Sequence, residues 1–184
     1  MNVILMGYRC TGKTTTGRRL AERMGRPFYD TDELIERQAR RAIFRIVAER
    51  GWQAFREAEA AVIRDLAGTD RSIIALGGGA VLDARNVEIL KRNGFFVWLD
   101  AAAETIAGRM EKDAAGGAER PSLSGKSGPE ETRAVMAERE PLYRSLADLV
   151  VDTTRIEADG AVEAVLAGLR ERTRAGEALK EKEK

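Results

Sequence analysis

This chain of 184 residues predicts an α/β fold, a five-stranded parallel sheet with helices on both faces. Three observations carry that expectation. Short apolar runs of strand length alternate with helical segments, the pattern of βαβ units joined by right-handed crossovers. The first run leads into a glycine loop and then a helix, Gly7-Tyr8-Arg9-Cys10-Thr11-Gly12-Lys13-Thr14. The residues that can do chemistry recur just after the strand runs, on the edge where open α/β sheets bind ligands.

Taken in order, residues 2–6 read as a short buried strand and 14–24 as a helix with Leu20 and Met24 on one face. Arg26-Pro27 breaks the chain before a brief strand, Phe28-Tyr29, which ends in Asp30-Thr31-Asp32. Residues 33–40 and 43–50 are helical, and Gly51 separates the second of these from another helix, 52–66. A buried strand at 72–76 runs into Gly77-Gly78-Gly79. A helix at 84–92, a strand at 95–99 closed by Asp100, and a helix at 103–112 follow. Residues 114–128 are small and turn-forming, which predicts a mobile lid over about 111–128. Pro129 opens a helix that Pro141 should kink. The last strand is 149–152 and the last helix 160–173. One three-layer P-loop domain over 1–174 is expected, with a charged Glu/Lys tail, 175–184, expected to be disordered.

Composition narrows the function. Lysine and arginine total 31 against 30 acidic residues, so the net charge of +1 gives no basic footprint for nucleic acid. One cysteine and no histidine rule out an internal disulfide and leave no basis for a Cys/His zinc site. No charged and apolar leader opens the chain, and no apolar run reaches membrane-spanning length. A soluble, cytoplasmic, monomeric protein is expected. Without histidine, a general base must be a carboxylate or another group.

The glycine loop fits G-x-x-x-x-G-K-[ST] without a mismatch. Its glycines let backbone N–H groups converge on phosphate oxygens, and the following helix N-terminus adds partial positive charge. Gly7, Arg9, Cys10, Thr11, Gly12, Lys13, Thr14 and Thr15 are therefore candidate ATP contacts. Lys13 can reach the β- and γ-phosphates, and the Thr14 hydroxyl can ligate Mg²⁺. A nucleoside triphosphate ligand follows.

Other strand ends add candidates. Asp30 and Asp32 lie two apart, so in extended geometry both carboxylates face one way. One would serve Mg²⁺ and the other the hydroxyl being phosphorylated, with Asp30 the natural metal-side acid. Asp30-x-x-Glu33 also has the spacing of a helix-capping box. Taken alone, Arg56 reads more as an exposed partner of Glu59 or Glu57 than as a cleft residue. Gly77-Gly78-Gly79 is either a flexible turn or a place where a substrate meets backbone N–H groups. Arg139, two residues before Pro141, could be aimed into the cleft by a kink or could stay on the surface. Arg120, in the glycine-rich stretch, could close over the γ-phosphate or stay solvated, with Lys126 a rival for the role. Two arginines, two acids and backbone donors suit a small hydroxylated carboxylate.

Taken together, the P-loop, Asp30-Thr31-Asp32, Phe55-Arg56-x-x-Glu59, Gly77-Gly78-Gly79, Arg120-Pro121 and Glu138-Arg139-x-Pro141-Leu142-Tyr143 resemble the shikimate kinase family in order and spacing. The resemblance spans about residues 2–170. It implies a nucleoside-monophosphate-kinase-like fold and transfer of the ATP γ-phosphate to the 3-hydroxyl of shikimate. By the same resemblance, Lys13, Asp32 and Arg120 are catalytic, and Thr14 and Asp30 hold Mg²⁺. Asp32, Arg56, Gly78, Gly79 and Arg139 bind shikimate, Arg109 stacks on adenine, and Arg155 belongs to the adenine loop. Three features depart from the family pattern: Cys10 replaces a glycine, Ser122 replaces a leucine, and the lid is unusually Gly/Ser-rich. The Lys/Glu tail also extends past the family core. The Cys10 thiol, near a helix N-terminus and Lys13, is either reactive and shielded by MgATP or a buried, inert thiol. A gluconate-type kinase and a non-catalytic nucleotide-binding regulator are the alternatives.

Overall fold

A computed structural model of the chain describes residues 1–115 and 128–182. Five parallel strands, β1 (Asn2–Met6), β2 (Phe28–Asp30), β3 (Ile73–Ala75), β4 (Gly94–Asp100) and β5 (Leu149–Asp152), form one sheet in the order β2-β3-β1-β4-β5. Among the described residues seven helices flank it: α1 (Lys13–Met24), α2 (Thr31–Ala39), α3 (Ile43–Leu66), α4 (Ala84–Lys91), α5 (Ala103–Ala115), α6 (Gly128–Leu146) and α7 (Ala158–Lys182). A 3₁₀ turn, Ala80–Leu82, follows the glycine triplet and was not expected from the sequence.

Side-chain alternation along the central strands builds the layers. Val3, Leu5, Phe95, Val97 and Leu99 face one side, where Leu20 of α1 and Val162 and Val165 of α7 close over them. Ile4, Met6, Phe96 and Trp98 face the other, against Ile35 of α2, Phe55, Val62 and Ile63 of α3, Leu90 of α4 and Tyr143 of α6. Central strands covered on both faces must be apolar throughout, which is why residues 2–6 show no polar alternation in sequence. A third cluster, Tyr8 with Ala101, Ile106 and Val135, packs α5 and α6 beyond the strand ends.

The structure shifts several expected boundaries. Residues 43–66 are continuous except at Gly51, whose φ of 78° and ψ of 170° break the helix at the expected residue. α6 continues through Pro141. α7 runs on to Lys182, past the expected end at 173, and apart from Gly176 the added residues, Arg, Ala, Glu, Leu and Lys, are strong helix formers. Among the described residues, no helix is long and apolar enough to cross a membrane.

Candidate active site

β1 delivers the chain into the loop at the C-terminal edge of the sheet. Gly7 has φ 141°, and a Cβ there would lie 2.2 Å from the Leu99 carbonyl oxygen, so only glycine fits against the end of β4. Cys10 also has positive φ, 59°. That conformation is what a glycine supplies at no cost, and the cysteine holds it with the strain of a left-handed side-chain-bearing residue. The Thr11 hydroxyl donates to Tyr8 O at 2.9 Å. Lys13 Nζ donates to Gly7 O at 3.0 Å and Tyr8 O at 2.6 Å, so its charge lies over the loop that precedes α1.

Asp30 ends β2 and caps α2. Its Oδ1 accepts from the backbone N–H groups of Asp32 (3.0 Å) and Glu33 (3.3 Å), while Oδ2 accepts from the Thr14 hydroxyl at 2.6 Å. Capping and the contact with Thr14 use different oxygens, so the two readings of Asp30 do not compete. Asp32 lies inside α2, not in the extended geometry expected from its spacing to Asp30. The helix start, not strand alternation, turns its carboxylate toward the glycine triplet. A Cβ on Gly77 would lie 2.5 Å from Asp32 Oδ1 and 2.9 Å from Glu59 Oε1. The Gly77 N–H donates to Thr31 Oγ1 at 2.8 Å, fixing this loop to the start of α2.

Two arginines meet at the same glycines. Arg56 Nη1 donates to Glu59 Oε2 at 2.6 Å, and its guanidinium lies 5.6 Å from the Trp52 ring and 5.0 Å from the Phe55 ring. A Cβ on Gly79 would fall 2.3 Å from Arg56 Nη2, so the arginine occupies the space a side chain would need. Arg139, buried on α6, donates from Nη1 to Gly78 O at 3.1 Å, and the Tyr143 hydroxyl donates to the same oxygen. The helix face, one turn from Tyr143, places Arg139 here. Both readings of Arg56 hold at once, because it pairs with Glu59 and still lines the cleft.

Glu59 is the group whose importance the sequence understated. It is 1% exposed, and burial, opposed by Arg56, pushes its carboxyl up to about 7. The signal was present: Trp52, Phe55, Arg56 and Glu59 share one helical face. A carboxyl raised above its unfolded value of 4.5 contributes stability below that value, and this is lost as pH rises through about 7. Glu59→Gln is therefore expected to raise Tm relative to wild type far more at about pH 8 than at about pH 4, a difference of up to roughly 3 kcal/mol. Equal effects at both pH values, read by thermal unfolding, would remove the titration argument.

On the far side, Arg109 of α5 donates to Cys10 O (3.2 Å), Thr153 Oγ1 (3.3 Å) and Thr153 O (2.6 Å), joining the P-loop to the segment after β5. Cys10 Sγ lies 3.4 Å from Asp113 Oδ2. Arg155 is exposed and does not line the cleft, although Thr153 and Ile156 on either side do. Arg120, Pro121, Ser122 and Lys126, with most of the expected lid, lie outside the described residues.

The cleft encloses about 820 Å³ and runs from Arg9, Lys13 and Arg109 at one end to Trp52, Arg56 and Arg139 at the other. A Cβ on Gly78 would lie 3.5 Å from Gly7 O, so the phosphate loop and the arginine pair meet across one glycine triplet. One end can hold a nucleotide and the other a small anion with hydroxyls, close enough for direct transfer.

The family model described as shikimate kinase matches residues 9–170. A shikimate kinase from Syntrophus aciditrophicus is 46% identical over 173 residues, covering 90% of this chain and 89% of that protein. One from Symbiobacterium thermophilum is 43% identical, covering 96% of this chain and all of its own length. Among solved structures, the shikimate kinase from Acinetobacter baumannii in complex with shikimate superposes with a TM-score of 0.85. It shares 33% identity and covers 93% of each chain.

Proposed function

The chain belongs to the shikimate kinase family, and from that premise we propose how its own residues carry the ATP-dependent phosphorylation of shikimate. The reaction moves the γ-phosphate of ATP onto the 3-hydroxyl of shikimate, giving shikimate 3-phosphate and ADP. The observation that most supports this acceptor is the arginine pair. Arg56 and Arg139 flank Gly78 and Gly79 from opposite elements, opposite the P-loop, where a carboxylate can bridge them. A gluconate-type acceptor also carries a carboxylate, but it is an open chain. The packed Trp52–Phe55 edge beside Arg56 suits a ring.

In this division of labour, backbone N–H groups of residues 7–15 and the Lys13 ammonium hold the phosphates. Thr14 and Asp30 fit Mg²⁺, because a hydroxyl and a carboxylate oxygen, both hard donors, already meet at 2.6 Å. When bound, the ion neutralises charge on the β- and γ-phosphates. Asp32 orients the acceptor hydroxyl and accepts its proton. Arg109 borders the adenine, with Arg155 in the loop beyond it, and Arg120 reaches the phosphates, a role that rests on its place in the sequence.

A coupled assay of ADP release, with shikimate, with gluconate and with no acceptor, tests the reading. Release stimulated only by shikimate is expected; stimulation by gluconate alone would overturn it. Within the site, Arg56→Lys and Arg139→Lys are expected to raise the shikimate KM some tens of times or more. Each loses a geometry-dependent guanidinium–carboxylate contact of about 2–3 kcal/mol, and an ammonium cannot restore the fork. The KM for ATP should barely change. Parallel loss of both affinities in Arg139→Lys would sink the carboxylate assignment.

A further inference from the structure

We infer that the acceptor site takes up a proton together with shikimate, and that Glu59 is the group that receives it. The inference rests on the shikimate reading above. Glu59 Oε2 is held by Arg56 at 2.6 Å, while Oε1 is buried with no hydrogen-bond partner among the described residues. The charged groups that face Glu59 are Arg56 on its own helix, Asp32 from α2 and Arg139 from α6. The glycine triplet packed between them carries no side-chain charge.

Charge counting then decides the outcome. Two guanidiniums already face two carboxylates, Asp32 and Glu59, before the acceptor arrives. The acceptor carboxylate is a third negative charge on the same pair, beside the buried Glu59, where like charges cannot all stay ionised. Asp32 faces the reacting hydroxyl and is useful as an anion. Glu59 makes no contact with the reacting atoms in this scheme, and burial has already brought its titration to about 7, so it gives up its charge most readily. The proton comes from solvent and joins the carboxylate to give the acid. No other bond changes, and the proton leaves again when the carboxylate product departs. Glu59 is thus a positioning residue whose protonation leaves Arg56 to the substrate.

The linkage has a definite sign. Below about pH 7 Glu59 is already protonated and shikimate affinity is flat with pH; above it, affinity falls by as much as about tenfold per pH unit. Calorimetric titration of the full chain with shikimate at about pH 8, in buffers of different ionisation enthalpy, reads the proton count directly. Uptake approaching one proton is expected, fading toward zero at about pH 6. Glu59→Asp should retain uptake and Glu59→Gln should abolish it. Wild-type binding without uptake at about pH 8 would overturn the inference, and so would undiminished uptake in Glu59→Gln. Absence of any shikimate binding to wild type would instead remove the acceptor reading, and the inference with it.

Discussion

Replacing Lys13 by methionine is expected to cut kcat about 10²–10³-fold, the loss typical of removing one charge-stabilising donor from a preorganised site. Lys13 opens α1 with its ammonium 2.6 Å from Tyr8 O and 3.0 Å from Gly7 O, so its charge is fixed over the phosphate loop. Phosphoryl transfer leaves little covalent work for the protein, and charge spreading over the transferring group is what the lysine answers. Methionine keeps the length of the stem and most of its volume. The inward face of α1, Leu20 and Ala21, lies elsewhere, so folding should survive. The nucleotide Kd should change less than kcat, because the contact strengthens as charge develops. Measuring kcat at saturating ATP and shikimate, beside the Kd for ATP, separates the two. A kcat within tenfold of wild type would mean that backbone N–H groups and metal suffice.

The fold was legible because its information is local. Apolar runs, the glycine loop and the break at Gly51 are each set by a few neighbouring residues, and the structure keeps all of them. The site was legible in its members but less so in its geometry. Asp32 was expected to share a strand face with Asp30, yet the cap formed by Asp30 starts α2 at once and turns Asp32 by helical rather than strand periodicity. Arg139 was tied to a kink at Pro141; what the structure adds is its burial and its bond to Gly78 O, on a helix face shared with Tyr143. Glu59 and Asp113 depend on contacts between elements far apart in sequence or on burial, neither of which spacing alone encodes. Cys10 shows the reverse: positive φ explains why a glycine is usual there, and a sequence departure becomes a statement about backbone strain.

The two aspartates should fail in different ways when each is changed to asparagine. Asparagine is as good a helix cap as aspartate, so Asp30→Asn can keep the bonds from the backbone N–H groups of Asp32 and Glu33. What it loses is the anionic oxygen facing the Thr14 hydroxyl at 2.6 Å. Its defect should therefore appear as weaker apparent Mg²⁺ affinity, partly offset by excess Mg²⁺. Asp32→Asn keeps shape and one hydrogen bond beside Gly77 but removes the proton acceptor at the substrate hydroxyl. General-base assistance is typically worth about 10²–10⁴-fold, and a loose, metaphosphate-like transition state calls for the lower end. A kcat reduced about 10²-fold is expected, with a raised shikimate KM, and no concentration of Mg²⁺ should restore either. Titrating Mg²⁺ across wild type and both mutants at saturating ATP distinguishes a metal-side acid from a substrate-side one. Identical Mg²⁺ dependence in the two mutants would defeat the split and leave a single shared role at the start of α2.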